Sequence, residues 1–146
     1  MTSLYMLDTN MVSYIAKGQS KAARTRMLNL EEDEVACLSV ITEAEIRFGL
    51  AKRPEAVALR ERMEWFLAAV KVLPWGREEA KAYGALRARL ECSGKTLENM
   101  DLQIAAHAVA TSAVLVTNDK AFAQVDELHA TVNWATDLIQ PAHTSN

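Results

Sequence analysis

Short apolar runs dense in β-formers alternate with helix-length segments along this chain, and that alternation restricts the fold more than any other feature. "LYML" at 4–7, "EVACLSV" at 34–40 and "AVLVTN" at 113–118 read as buried strands. "VKVLPW" at 70–75 and "TVNW" at 131–134 are weaker examples. Between them, "SKAARTRMLNL" is amphipathic, and "TEAEIRFGLAKR" ends in basic residues that suit a helix C-terminus. Pro54 is expected in the first turn of a helix reading "PEAVALRERMEWFLAAV". Its Leu59, Met63, Phe66, Leu67 and Val70 recur at helical spacing and predict a core stripe. Trp65 lies off that stripe, either as an interface aromatic or packed beneath a neighbouring loop. "GREEAKAYGALRARLECSG" predicts a helix closed by Gly94, and "NMDLQIAAHAVATS", apolar on most sides, belongs near the centre. The order implies an α/β fold, a small parallel sheet with right-handed crossovers and helices on both faces. At 146 residues, with no repeat, low-complexity tract or linker, the chain is expected to be one domain over 1–136, followed by a small polar tail, 137–146, that frays.

Several function classes are disfavoured at this level. The formal charge of -3 gives no basic field for binding by phosphate attraction alone. Clustered acids would lower the net charge, however, and a bound cation would offset them locally, so nucleic acid stays open. No apolar stretch nears the roughly 20 residues of a membrane span. "MTSLYMLDTN" lacks the basic and apolar regions of an export signal. Cys37 and Cys92 form no CxxC pair, so free thiols in a reducing cytosol, and hence a cytoplasmic protein, are expected. His107, His129 and His143 show no metal-ligand spacing, and His107 in "IAAHAVA" reads as a satisfied core histidine. There is no GxSxG, Gly-rich phosphate loop or GxGxxG.

Four acids stand out by position. In an open parallel sheet, sites form beyond the carboxyl ends of the strands. Asp8 and Asp119 directly follow strands, Glu45 lies about a turn into a helix, and Asp101 opens another. Each has a structural alternative. Asp8 (or Asn10) and Asp119 suit helix caps, Asp101 suits a helix dipole, and Thr42–Glu45 spells a capping box. Taken together, four carboxylates at one edge predict a shared cleft. Clustered carboxylates repel and persist where a cation neutralises them. Oxygen donors without His or Cys suit Mg²⁺ or Mn²⁺, which can promote phosphodiester hydrolysis. "MLDTN" also faintly suits an aspartyl-nucleophile phosphohydrolase, but Asn10 stands where such sites want a second Asp.

These segments, in this order, resemble the PIN-domain ribonucleases, specifically the VapC-type toxins of bacterial toxin–antitoxin pairs. The resemblance rests on "YMLDTNMVSYI", "LSVITEAEIRFGL", "LRARLECSG" with "MDLQIAAHA", "VLVTNDKAF" and "TVNW", and spans nearly the whole chain. It implies a PIN-like three-layer sandwich, with Asp8, Glu45, Asp101 and Asp119 as catalytic acids and Asp8, Asp101 and Asp119 as metal ligands. Glu45 rather than Glu43 is the second acid, being four residues before Gly49. Asn10 and Thr117 resemble the family's supporting polar positions. Where many members carry Gly-Pro before the third acid this chain reads "LENM", which brings Glu98 and Asn99 into consideration. The resemblance further implies Mg²⁺ (or Mn²⁺), an RNA substrate such as tRNA, a homodimer and a VapB-like antitoxin that blocks the cleft. Arg47, Lys52, Arg53, Arg87 and Arg89 are candidate phosphate contacts. The competing readings are a catalytically silent PIN-like module that only binds protein, and the small-molecule phosphohydrolase.

Overall fold

The computed structural model describes residues 1–138 and has the expected α/β architecture. In chain order the elements are β1 (Ser3–Leu7), α1 (Thr9–Ala16), α2 (Lys21–Leu28), β2 (Glu34–Ser39), α3 (Val40–Ala51) and α4 (Val57–Ala69). Then follow β3 (Lys71–Leu73), α5 (Arg77–Cys92), α6 (Asn99–Thr111), β4 (Val114–Val116), a short 3₁₀ helix (Lys120–Gln124) and β5 (Ala130–Val132). All four pairings of the five-stranded sheet are parallel, in the order β3-β2-β1-β4-β5. The chain builds outward from β1 through β2 to β3, then returns to lay β4 on the other side of β1. The strand order therefore reverses between β1 and β4, which opens a crevice beyond their carboxyl ends.

Both sheet faces are covered, as near-continuous apolar strands require. Leu7, Ala36, Leu38 and Val116 pack with Met11, Val12 and Ile15 of α1 and Met63, Phe66 and Leu67 of α4. Met6, Cys37 and Leu115 face the opposite side, against Leu86 and Leu90 of α5 and Leu102, Ile104 and Ala105 of α6. Helix α6 buries six residues, consistent with its all-round apolar sequence. Gly94 closes α5 with φ +68, a left-handed position where a side chain would be strained.

Three expectations need correction. Pro54 is not in the first turn of α4, because the chain first reverses through a turn in which Ala56 N–H donates to the Arg53 carbonyl (3.0 Å), and the helix begins at Val57. Trp65 is 61% exposed, so it is not packed beneath a loop. Thr42 does not open a capping box: α3 starts at Val40 with Ser39 as its cap, which places Thr42 inside the helix. The frayed tail expected over 137–146 lies, from 139 onward, outside the described residues. Asp137 itself accepts from the Ser20 hydroxyl (2.5 Å) and Ala22 N–H (3.2 Å) at the start of α2. Ser20 is fully buried and also accepts from Ala23 N–H (3.1 Å). Ser20→Ala is expected to cost about 1–2 kcal/mol by removing this cap, measured as a lower thermal midpoint; an unchanged midpoint would show that the cap is dispensable.

Candidate functional site

The crevice predicted by the sheet order is a cleft of about 690 Å³ lined by Asp8, Thr9, Asn10, Glu45, Thr96, Leu97, Glu98, Met100, Asp101, Asp119 and Ala121. All four acids chosen from the sequence line it, and each arrives from a different element. Asp8 ends β1 and caps α1: its Oδ1 accepts from Met11 N–H at 2.8 Å. Its other oxygen accepts from the Thr117 hydroxyl (2.5 Å), whose oxygen in turn accepts from Asp119 N–H (3.0 Å). Thr117 thus ties the two strand-end acids together. Asp119 caps the 3₁₀ helix through Ala121 N–H at 2.9 Å. Glu45 accepts from the Thr9 hydroxyl at 3.1 Å rather than from a helix-start amide.

Capping and site geometry are therefore compatible, since one carboxylate oxygen can hold a backbone amide while the group still faces the cleft. Asp8 is 4% exposed, and burial pushes its carboxyl up to about 6. Hydrogen bonds from Thr117 and Met11 oppose that rise, while the charges of Asp119 and Glu45 add to it. Asp101 is also raised to about 6, first by burial and then by Asp119, Glu98, Asp8 and Glu45. These acids feel one another.

Among the described residues, no three acids stand close enough to form a ready-made metal cage. A hydrated Mg²⁺ needs no such cage, because it keeps several waters and takes one or two protein carboxylates. The donor set is all oxygen, and the mutual repulsion is what a cation would relieve. The residues fit a hard divalent ion.

The remaining candidates divide. Asn10 lines the cleft beside Asp8, and Glu98 lines it near Asp101. Asn99 is instead held by the Tyr83 hydroxyl (2.5 Å). Arg47, Arg87 and Arg89 are not brought to the cleft. Arg47 pairs with Glu43 and Glu64, Arg87 with Glu91, and Arg89 with Glu127. Lys52 lies over the Phe48 ring. Thr9, beside Asp8, carries no sequence signal of its role, because nothing local indicates that its hydroxyl reaches a residue 36 positions away.

The PIN domain family matches residues 5–128. The chain belongs to that family. Within it, this PIN domain is of the VapC type. It is 31% identical over 132 residues to the ribonuclease VapC2 of Rickettsia felis, covering 90% of this chain and 98% of that protein. It is 30% identical over 132 residues to the tRNA(fMet)-specific endonuclease VapC of Shigella flexneri, with the same 90% and 98% coverage. The crystal structure of VapBC2 from Rickettsia felis bound to a DNA fragment from their promoter superposes with a TM-score of 0.84 at 30% identity, covering 90% of this chain and 98% of that one. The named relatives of this PIN domain are thus ribonucleases, and the fold is shared with VapBC2.

Proposed function

We propose that this VapC-type PIN domain is a Mg²⁺- or Mn²⁺-dependent endoribonuclease toxin whose cognate partner is a VapB-like antitoxin. The carrying observation is the convergence of Asp8, Glu45, Asp101 and Asp119 on one cleft at the strand-order reversal, in a chain of this family. Asp8, Asp101 and Asp119 would hold the ion, with Glu45 as the fourth catalytic acid. When bound, the ion would activate a water and stabilise the leaving oxygen of the phosphodiester. The chain's own part is positional. Thr117 holds Asp8 in register with Asp119, Thr9 orients Glu45, and Asn10 offers an amide at the cleft wall.

A structured RNA such as tRNA is the proposed substrate class, supported by the specificity named for the Shigella relative. A homodimer and a cytoplasmic location complete the reading. Among the described residues no helix is long and apolar enough to cross a membrane. A silent binding module would not need four acids gathered in one cleft, with Asp8 and Asp101 held there against burial and neighbouring negative charge. A small-molecule phosphohydrolase is disfavoured by the amide of Asn10 where a second acid would stand.

The test is cleavage of purified tRNA by antitoxin-free protein with Mg²⁺ or Mn²⁺, and its arrest by EDTA. Cleavage that persists undiminished in EDTA, or no cleavage of tRNA or ribosomal RNA, sinks the reading. Glu45→Gln should slow cleavage at least about tenfold, since a neutral amide cannot take up a proton as the fourth catalytic acid would, whereas Glu43→Gln, which only breaks one exposed pair with Arg47, should be nearly silent. The reverse ranking would show that Glu43 is the working acid.

A further inference from the structure

Away from the cleft, a buried polar chain joins the two helices that deliver acids to it. Ser39 and His107 are both fully buried. Ser39 ends β2 and caps α3, its hydroxyl oxygen accepting from Ile41 N–H at 3.1 Å. The same hydroxyl lies 2.7 Å from His107 Nδ1, across 68 residues of sequence. The other ring nitrogen, Nε2, has no hydrogen-bond partner and looks toward Glu79 Oε1 at 3.6 Å. An N–H facing a carboxylate is the favourable arrangement, which puts the ring proton on Nε2 and leaves Nδ1 to accept from Ser39. Burial pulls the imidazole below its usual range, against the opposing influence of Glu79 and the Pro74 backbone, so the ring is neutral near pH 7. The Trp75 ring packs against the imidazole edge-on, 5.6 Å between centroids.

The placement gives this pair its importance. Glu45 is six residues beyond Ser39 on α3, and Asp101 is six residues before His107 on α6. Six helical residues span about 9 Å, so the hydrogen bond braces the two helices about 9 Å from each acid. A buried polar bond whose loss leaves an orphan is costly to break and specifies one arrangement of the parts it joins. We propose that His107 is a positioning residue: through Ser39 it fixes α3 against α6 and so sets the placement of Glu45 relative to Asp101. This rests on the nuclease reading of the cleft.

The decisive comparison is His107→Leu against His107→Asn, because the Asn Oδ1 can take the accepting position of Nδ1 while Leu cannot. With tRNA and Mn²⁺, His107→Leu is expected to lower kcat by about tenfold or more with KM unchanged, since an ångström of misplacement can cost about a hundredfold. His107→Asn should keep most of the wild-type kcat. Ser39→Ala also removes the Ile41 cap, so joining it to His107→Leu should lower kcat by less than the product of the two single losses, because the Ser39–His107 bond is common to both. Thermal melts of every variant serve as the folding control. Equal losses in Leu and Asn, a loss confined to KM, or wild-type kcat in His107→Leu overturns the proposal. If the wild type cleaves no RNA, the nuclease reading has failed instead, and Mn²⁺ titration of the same proteins decides. Weaker binding by His107→Leu alone then supports the brace; equal binding, or none, overturns it.

Discussion

Asp8→Asn should lower tRNA cleavage by about 10²–10⁴-fold while leaving the fold intact. Asp8 is the most deeply buried of the four acids and, with Asp119, flanks the strand-order reversal. A divalent ion contributes several kcal/mol to phosphoryl chemistry, and each ~1.4 kcal/mol is a factor of ten in rate. Removing the charge that would hold the ion sacrifices much of that. The fold survives because the Asn Oδ1 can still accept from Met11 N–H, and Asn caps helices about as well as Asp. On the other side, the new amide can donate to the Thr117 hydroxyl oxygen that the carboxylate formerly accepted from. Cleavage assays beside circular-dichroism melts check both halves. Full activity in a clean preparation, or inactivity that merely tracks unfolding, would remove Asp8 from the chemistry.

What could be read from the sequence divides by range of interaction. Three strands and both acid-bearing strand ends are legible because β1, β2 and β4 are buried on two faces, and such strands must be apolar without interruption. The edge that carries the cleft is legible because parallel strands present their carboxyl ends to one side, whereas the reversal between β1 and β4 that opens it is seen only in the strand order. Local patterns mislead where two of them compete. Thr42-x-x-Glu45 spells a capping box, but Ser39 caps first, since the strand runs directly into the helix, and Glu45 is left free for Thr9. The arginines illustrate a second limit. The Arg47–Glu43 pair, four apart, is readable, whereas Glu64 and Glu127, which engage Arg47 and Arg89 from 17 and 38 residues away, are not. His107 reads correctly as a core residue but not as a fully satisfied one, since its Nε2 is left without a hydrogen-bond partner; its partner Ser39, 68 residues away, is not visible in the sequence.

Asp101→Asn should make the metal-free protein more stable by about 1–2 kcal/mol at pH 7.5. Asp101 is the cleaner probe than Asp119, because Asp119 holds Ala121 N–H as a cap. A carboxyl raised from 3.8 to about 6 can cost the folded state up to ~3 kcal/mol at neutral pH, and partial solvent access reduces that. The sign follows from proton binding. Between about 4 and 6 the folded chain holds a proton on Asp101 that the unfolded chain has released. Stability from this group therefore falls as pH rises through that window, and the full cost stands above it. Wild type without metal should gain stability on going from pH 7.5 to 5, and Asp101→Asn should gain less; Asp8, raised for similar reasons, keeps part of the trend in the variant. Millimolar Mn²⁺ should reverse the ranking at pH 7.5, since an ion stabilises a protein only through its affinity for the folded state, and the variant has lost a ligand charge. That advantage should fade toward pH 5, where protons compete for the same oxygens. A pure helix-dipole role predicts the opposite for the apo protein, a small loss on neutralising an acid in the first turn of α6, with no dependence on metal. Melts of both proteins at two pH values, in EDTA and in Mn²⁺, separate the cases: equal metal-induced shifts, or an apo variant no more stable than wild type, would mean that Asp101 does not share a charged site with Asp8, Asp119 and Glu45.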